Sequence, residues 1–293
     1  MKFSKIVAID YTGIDEFIHE ELKGLCEELV MYEDIPVGDD EIVQRAEGAD
    51  AILVSWNTPV SRAVIKRLPT LKYIGMCCSL YDEESSNVDI QAAQAQDIIV
   101  RGVKDYGDDG VVEWIFSELV RLFKGSGNVQ FREEQIELGG VKLGIIGLGT
   151  LGQMVADAGM FFSMDVCYYN RNKKEGTGFA YLALEELLKT CDVISTHLPR
   201  NTNVLGSAEF AALGNGKVLI NTGLSPSFEI NAFDRWLECE NNYALFDVIS
   251  LSEDLRKKYE NHPRVIMSKT VTGFTRNARR RLALKVLENI LIP

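Results

Sequence analysis

Histidine is scarce in this chain: His19, His197 and His262 are the only three among 293 residues, and their spacing assembles no metal-ligand cluster. The six cysteines (26, 77, 78, 167, 191 and 239) show no CxxC spacing, so buried free thiols and a reducing, cytoplasmic compartment are expected. Basic charge is also in deficit. With 31 Lys and Arg against 43 Asp and Glu, the formal net charge is -12, which argues against binding a nucleic-acid phosphate backbone. Seven prolines leave no Pro-rich linker to mark a domain boundary. No apolar run approaches the roughly 20 residues of a membrane helix, so no membrane partner is expected. The first ten residues lack the apolar core and small-residue cleavage site of a signal peptide and read as a buried first strand.

What is present is an ordinary globular composition, 46% apolar and 25% charged, long enough for two domains or one large one. Short β-rich runs at Ile6–Ile9, Ala51–Val54, Tyr73–Cys77 and Ile98–Val100 alternate with helical stretches at 14–29, 60–67 and 88–95. The rhythm continues with strands near 142–147, 165–169, 192–195, 217–221, 243–247 and 264–267. Strands interleaved with helices imply parallel sheets joined by right-handed crossovers. The stretch Val111–Phe123 is apolar nearly all round, so it is expected to be buried on more than one side. It is either a central core helix or one shared between its own sheet and a partner subunit.

One motif carries chemistry. In "VKLGIIGLGTLGQMVA" (141–156), Gly147, Gly149 and Gly152 form GxGxxG directly after an apolar strand and at the start of a helix. In that context the glycines permit a tight turn and close approach of a pyrophosphate at the helix N-terminus. The next strand ends at Asn170, where an acidic residue would accept from the adenosine ribose of NAD. Asn170 has no charge to repel a 2′-phosphate, and Arg171, Lys173 and Lys174 could attract one. NADP(H) is therefore expected over NAD(H), with a solvated basic turn as the alternative.

From here the chain resembles the D-isomer-specific 2-hydroxyacid dehydrogenases over nearly its whole length. The resemblance rests on "ADAILVSWNTPVSRAVIKRLPTLKYI" (49–74), "VKDYGDDGVVEW" (103–114), "CDVISTHLP" (191–199), "GKVLINTG" (216–223) and "ALFDVIS" (244–250). It implies an α/β fold of two doubly wound parallel-sheet domains. A Rossmann NAD(P)-binding domain (104–273) would be inserted into a flavodoxin-like substrate domain (1–103 plus 274–293). It also implies that Gly147, Gly149 and Gly152 cradle the pyrophosphate, with Thr150 and Leu151 offering backbone N–H groups. His197, Leu198 and Pro199 would pass beside the cofactor, and Thr222 and Gly223 would approach the nicotinamide. Asp247 would accept from the carboxamide, or else cap its own strand end; His197 could equally be a packed, hydrogen-bonded histidine.

The family's catalytic arginine, glutamate and histidine are not matched. Leu224, Ser252 and Thr270 stand at those positions, and the substrate loop reads Cys77-Cys78-Ser79-Leu80-Tyr81-Asp82 with an apparent acidic insertion. Lys269, Lys104 and Tyr106 are the candidate replacements, each with an ordinary surface or hinge role as its alternative. Two functions follow. One is an oxidoreductase acting on a CH–OH or carbonyl group of an altered small-molecule substrate; the other is a dinucleotide-binding sensor without turnover. A homodimer through helix 111–123 is expected in either case.

Overall fold

The computed structural model describes residues 2–84 and 86–292. It divides into two compact units, Met1–Tyr106 with Arg276–Pro293, and Gly107–Thr275. The chain therefore crosses between them at 106/107 and 275/276, against the expected 103/104 and 273/274.

In the first unit, β1 (Phe3–Ala8), β2 (Cys26–Met31), β3 (Ala51–Val54), β4 (Tyr73–Ser79) and β5 (Ile99–Val103) form one parallel sheet in the order β2-β1-β3-β4-β5. This is the flavodoxin-like order, whose switch point lies between β1 and β3. Ile74, Met76 and Cys78 of β4 pack with Val7, Ile9, Ile52 and Val54 on one face of the sheet. The helix Arg276–Leu291 packs against β4 and β5 and buries Ala278, Leu282, Ala283, Val286 and Ile290. It is fixed by Arg281 donating to the Tyr106 carbonyl at 2.8 Å, Lys285 to that of Lys104 at 2.7 Å and Asn289 to that of Gly102 at 3.0 Å. Its start is tied to the helix Asp15–Gly24 by the Arg276–Glu16 ion pair at 2.7 Å.

The expected helix 14–29 is corrected. It stops at Gly24, and Cys26–Met31 is the edge strand β2. Glu27 and Glu28 give this segment helix-like polarity, but both are exposed, and pairing with β1 overrides local preference. A helix at Gly38–Arg45 was not anticipated. Its Arg45 is buried and donates to the Ile9 carbonyl at 3.0 Å, fixing the end of β1.

The second unit holds β6 (Lys142–Ile146), β7 (Asp165–Tyr169), β8 (Ala180–Tyr181), β9 (Val193–Thr196), β10 (Val218–Asn221), β11 (Tyr243–Phe246) and β12 (Val265–Met267). They form a parallel sheet in the order β12-β11-β10-β9-β6-β7-β8. Counted within the unit this is the Rossmann order, with its switch point between β6 and β9. Successive side chains fall on opposite faces: Val218 and Ile220 enter one core, Leu219 the other. The helix Asp108–Lys124 lies on one of these faces. Val111, Ile115, Phe116, Leu119, Leu122 and Phe123 are buried, Val112, Trp114 and Val120 are half-buried, and Glu113, Ser117 and Arg121 are exposed. It is not a central core helix, and Gly125 ends it in a left-handed turn (φ 60°).

Candidate functional site

The glycine turn is built as its sequence requires. Gly147 has φ 98°, and a Cβ there would lie 2.2 Å from the His197 carbonyl oxygen; one at Gly152 would lie 2.2 Å from that of Gly147. Gly149 differs. Its φ is −82°, and a Cβ would meet nothing within 4 Å. Neither backbone strain nor crowding by the chain demands a glycine there. The twelve-residue helix Thr150–Phe161 starts at Gly149 with no side-chain cap, so its first-turn N–H groups face that open side.

Asn170, at the end of β7, accepts the Leu148 N–H through its side-chain oxygen at 2.7 Å. The remaining NH2 is a donor, suited to a phosphate or hydroxyl oxygen. Lys174 reaches back to the Leu148 carbonyl at 2.5 Å, which places one cation beside the turn. Arg171 and Lys173 are exposed.

At the neighbouring strand end, His197 shares a hydrogen bond with Ser195 through Nε2 at 2.9 Å. Burial lowers its pKa to about 4, so the ring is neutral at pH 7. Its Nδ1 and the Thr222 hydroxyl, at the end of β10, are the buried polar atoms of this edge that have no partner among the described residues. Leu198 is half-buried and Pro199 exposed beside them. Thr222 and Gly223 are held by Asn221, whose amide donates to the Ser225 carbonyl at 3.1 Å and whose side-chain oxygen accepts from Thr196 at 2.8 Å. An uncrowded glycine, an uncapped helix start and two unmatched polar atoms fit a dinucleotide.

Asp247 is a different matter. It is buried, and its carboxylate accepts from Ile249 N–H (3.1 Å), Ser268 Oγ (3.3 Å), Thr272 N–H (2.9 Å) and Thr272 Oγ1. A carboxylate offers about four acceptor sites, and here all are taken by the chain. These bonds make Asp247 a strand-end cap, the alternative role that its sequence context offered.

The three substituted positions hold ordinary structural parts. Leu224 is exposed on the loop after β10. Ser252 caps the helix Glu253–Tyr259 by accepting from Leu255 N–H at 3.4 Å. Thr270 and Lys269 are exposed in the turn that Asp247 pins. Among the described residues no three His, Cys, Asp or Glu side chains gather as a metal site.

The carboxyl edge of the first unit carries a network that the sequence did not reveal. Asp10, fully buried, accepts from Ser55 N–H (2.9 Å), Ser55 Oγ (2.6 Å) and Thr58 Oγ1 (2.6 Å). Asn87 donates to the Ser55 and Thr58 carbonyls at 2.8 and 2.6 Å. Burial raises the Tyr106 phenol, which is hydrogen-bonded to Ser79, and so keeps it protonated. Lys104 is exposed, with Nζ 5.6 Å from the centre of the Tyr81 ring. No sequence signal marks Asp10 beyond its place at the end of a strand.

The family profile of the D-isomer specific 2-hydroxyacid dehydrogenase NAD binding domain matches residues 118–269. In sequence the chain is similar to a glyoxylate reductase of Aeropyrum pernix, 24% identical over 304 residues, spanning 90% of this chain and 87% of that protein. It is also similar to a D-3-phosphoglycerate dehydrogenase of Haemophilus influenzae, 26% identical over 307 residues, spanning 97% and 73%. Among solved structures it superposes on D-2-hydroxyisocaproate dehydrogenase with a TM-score of 0.81 at 22% identity, covering 98% of this chain and 96% of that one. An acyclic imino acid reductase in complex with NADPH and D-Arg gives 0.79 at 23%, covering 98% and 95%. At these identities the structural likeness establishes the fold.

Proposed function

The chain belongs to the D-isomer specific 2-hydroxyacid dehydrogenase family, and on that premise we propose that it is a nicotinamide-dinucleotide oxidoreductase whose substrate is not a simple 2-hydroxy acid. The observation that carries the dinucleotide part is Gly149, a glycine that the chain itself has no need of, set before an uncapped helix N-terminus. Gly147, Gly152, Thr150 and Leu151 would hold the pyrophosphate through backbone N–H groups. Asn170, Arg171 and Lys174 would favour NADP(H) over NAD(H), because they bring donors and positive charge and no carboxylate. His197 and Thr222 would face the nicotinamide end. The bound nicotinamide would supply or accept the hydride.

The altered substrate follows from what is missing. Leu224 cannot grip a carboxylate, and neither Ser252 nor Thr270 can act as an acid or base near neutral pH. A positioned acid or base contributes about 10²–10⁴-fold to a rate. Of the candidate replacements Tyr106, Lys104 and Lys269, Tyr106 alone is half-buried, and burial keeps its phenol protonated, a hydrogen-bond donor to a substrate oxygen rather than an acid near neutral pH. The first unit is taken as the substrate-binding part. The second reading, a dinucleotide-binding sensor without turnover, is favoured by one observation: Ser252 is spent as a helix cap where the family places a catalytic glutamate.

No helix among the described residues is long and apolar enough to cross a membrane. Six free thiols suit a reducing cytoplasm. A homodimer is supported by Met160, Phe161 and Phe162, exposed by 56, 83 and 36% at the end of the helix Thr150–Phe161, with Phe162 stacked on Phe116 of the helix Asp108–Lys124.

The test is a titration with NADPH and NADH beside a steady-state screen of glyoxylate, pyruvate, hydroxypyruvate and 3-phosphohydroxypyruvate. NADPH should bind more tightly, Asn170→Asp should shift the preference toward NADH, and the four acids should turn over negligibly. Turnover at ordinary dehydrogenase rates, roughly 1–10³ per second, would overturn the altered-substrate reading.

A further inference from the structure

We infer that Cys167 and Cys191 form a reversible dithiol–disulfide pair, a modification site of the second unit that reacts with hydrogen peroxide. The inference goes beyond the proposed function and stands without it.

The two sulfurs lie 3.1 Å apart, and both side chains belong to the apolar core on one face of the sheet. They come from separate elements. Cys167 is in the middle of β7, and Cys191 follows the helix Leu184–Thr190 just before β9. Between β7 and β9 runs β6, whose Gly144 is the register partner of Cys167 on one side and of Ile194 on the other. A Cβ on Gly144 would lie 2.6 Å from Leu187 Cδ2 and 3.0 Å from Cys191 Sγ. A glycine inside a strand weakens it and marks a close approach. Here the missing side chain leaves the room in which the thiols meet.

The backbones that carry the two thiols are held in place. The Cys191 N–H donates to the Leu187 carbonyl at 2.9 Å, and the Cys191 carbonyl accepts from Lys217 Nζ at 2.6 Å. The next N–H, of Asp192, donates to the Lys142 carbonyl at 2.9 Å. Cys167 is fixed by the ladder with β6. The approach of the sulfurs is thus set by the sheet and not by a loop.

The pair is asymmetric. Cys191 is fully buried, while Cys167 keeps 8% exposure and is the sulfur that an oxidant reaches first. The Cys191 S–H directed at Cys167, with the charge of Lys142, holds the Cys167 thiol below its usual range against the effect of burial. The same contact, with burial, pushes the Cys191 thiol up. Cys167 is therefore the attacking thiolate and Cys191 the resolving thiol. The Cys167 sulfur attacks one peroxide oxygen and the O–O bond breaks. The departing hydroxide takes up the proton that the thiol released and leaves as water. The Cys191 sulfur then attacks the sulfur of the Cys167 sulfenic acid, the S–O bond breaks, and the hydroxyl leaves with the Cys191 proton as a second water. Two thiols lose two electrons, and one peroxide is reduced to two waters. A thiol reductant reverses the bond by exchange, as expected of the transient, redox-responsive disulfides of a reducing compartment. The bond would join positions 24 residues apart and staple β7 to the start of β9 across β6, which stabilises the folded unit by restricting the unfolded chain.

The test treats the full chain with hydrogen peroxide, blocks the remaining thiols with N-ethylmaleimide in urea and maps the peptides by mass spectrometry. The expected result is a peptide pair linked through Cys167 and Cys191 that dithiothreitol separates. The linked form should melt roughly 5–10 °C above the reduced one. In Cys191→Ser, which lacks the resolving thiol, dimedone should trap Cys167 as the sulfenic acid, whereas Cys167→Ser should leave Cys191 unoxidised. Maleimide on both Cys167 and Cys191 after treatment would overturn the inference, and so would a link of either residue to any other cysteine. An unchanged melting temperature of the linked form would overturn the staple. If either serine variant does not fold, the linked peptide of the unaltered protein still decides.

Discussion

The switch points of the two sheets make an instructive pair. Between β1 and β3 of the first unit, Asp10 accepts three hydrogen bonds from Ser55 and Thr58, and Asn87 closes two further carbonyls. The polar groups there are matched by the chain. Between β6 and β9 of the second unit, Gly149 borders open space and His197 Nδ1 has no partner among the described residues. Both places sit at the carboxyl edge of a doubly wound sheet, where such folds bind ligands. The difference teaches that position in the fold nominates a site, while unmatched polar atoms and uncrowded glycines distinguish an edge whose groups remain open from one whose groups the chain has already paired. Asp247 shows the same distinction within a single unit.

The comparison breaks most visibly at Asp10. Asp10→Ala strands a buried N–H and two hydroxyls, and should cost about 3–5 kcal/mol of stability. Urea denaturation would measure it, and dinucleotide affinity of the folded fraction should be unchanged. A loss below about 1 kcal/mol would mean that the first edge is not stabilised by its network.

The paired glycines sharpen the contrast at a smaller scale. Gly149→Val should leave the melting temperature unchanged and weaken dinucleotide binding by roughly a hundredfold, or about 2.7 kcal/mol. Gly147→Val should lower stability as well, since its Cβ would collide with the His197 carbonyl at a positive φ. Equal melting losses in the two variants would remove the case for a ligand at Gly149.

The smallest effect is the pH dependence of the second edge. The pKa of His197 is about 4 in the folded chain, against about 6.5 when unfolded, so the unfolded state takes up the proton first. The stability linked to this group is fully present above pH 6.5 and is lost as the pH falls toward 4. The loss should be about 2 kcal/mol, allowing for screening of a ring that is not wholly enclosed. His197→Gln should flatten that part of the stability–pH curve, and an unaltered curve would show that the ring is not held neutral by burial.

Most strands of both sheets were legible because parallel strands buried on two faces read as apolar runs, as in Ile145-Ile146 and Val218–Asn221, while the two-residue edge strand β8 was too short to show one. The edge strand β2 was not, since Glu27 and Glu28 break its apolar pattern and only pairing with β1 makes it a strand. The glycine turn could be read because GxGxxG stands between an apolar strand and a helix start, a context that is local in sequence. At Asp247 a strand-end cap could be offered as an alternative, but not its partner Thr272, which lies 25 residues away. Asp10 was hidden for the same reason: its donors lie 45 and 48 residues on. Spacing in sequence reports turns and caps, and a buried carboxylate is defined by what the fold brings to it.

The helix Arg276–Leu291 imposes an order on the birth of the molecule. Residues of β1 to β5 leave the ribosome first, yet β4 and β5 receive the helix that covers them only after the whole of Gly107–Thr275 has been made. At translation speeds of about 5–20 residues per second, that interval of roughly 170 residues lasts on the order of 10–30 s. The second unit is continuous in the chain and can close within that time. The first is the earliest to appear and the last to finish, so the nascent chain carries an uncovered parallel sheet for longer than it takes to build the dinucleotide unit.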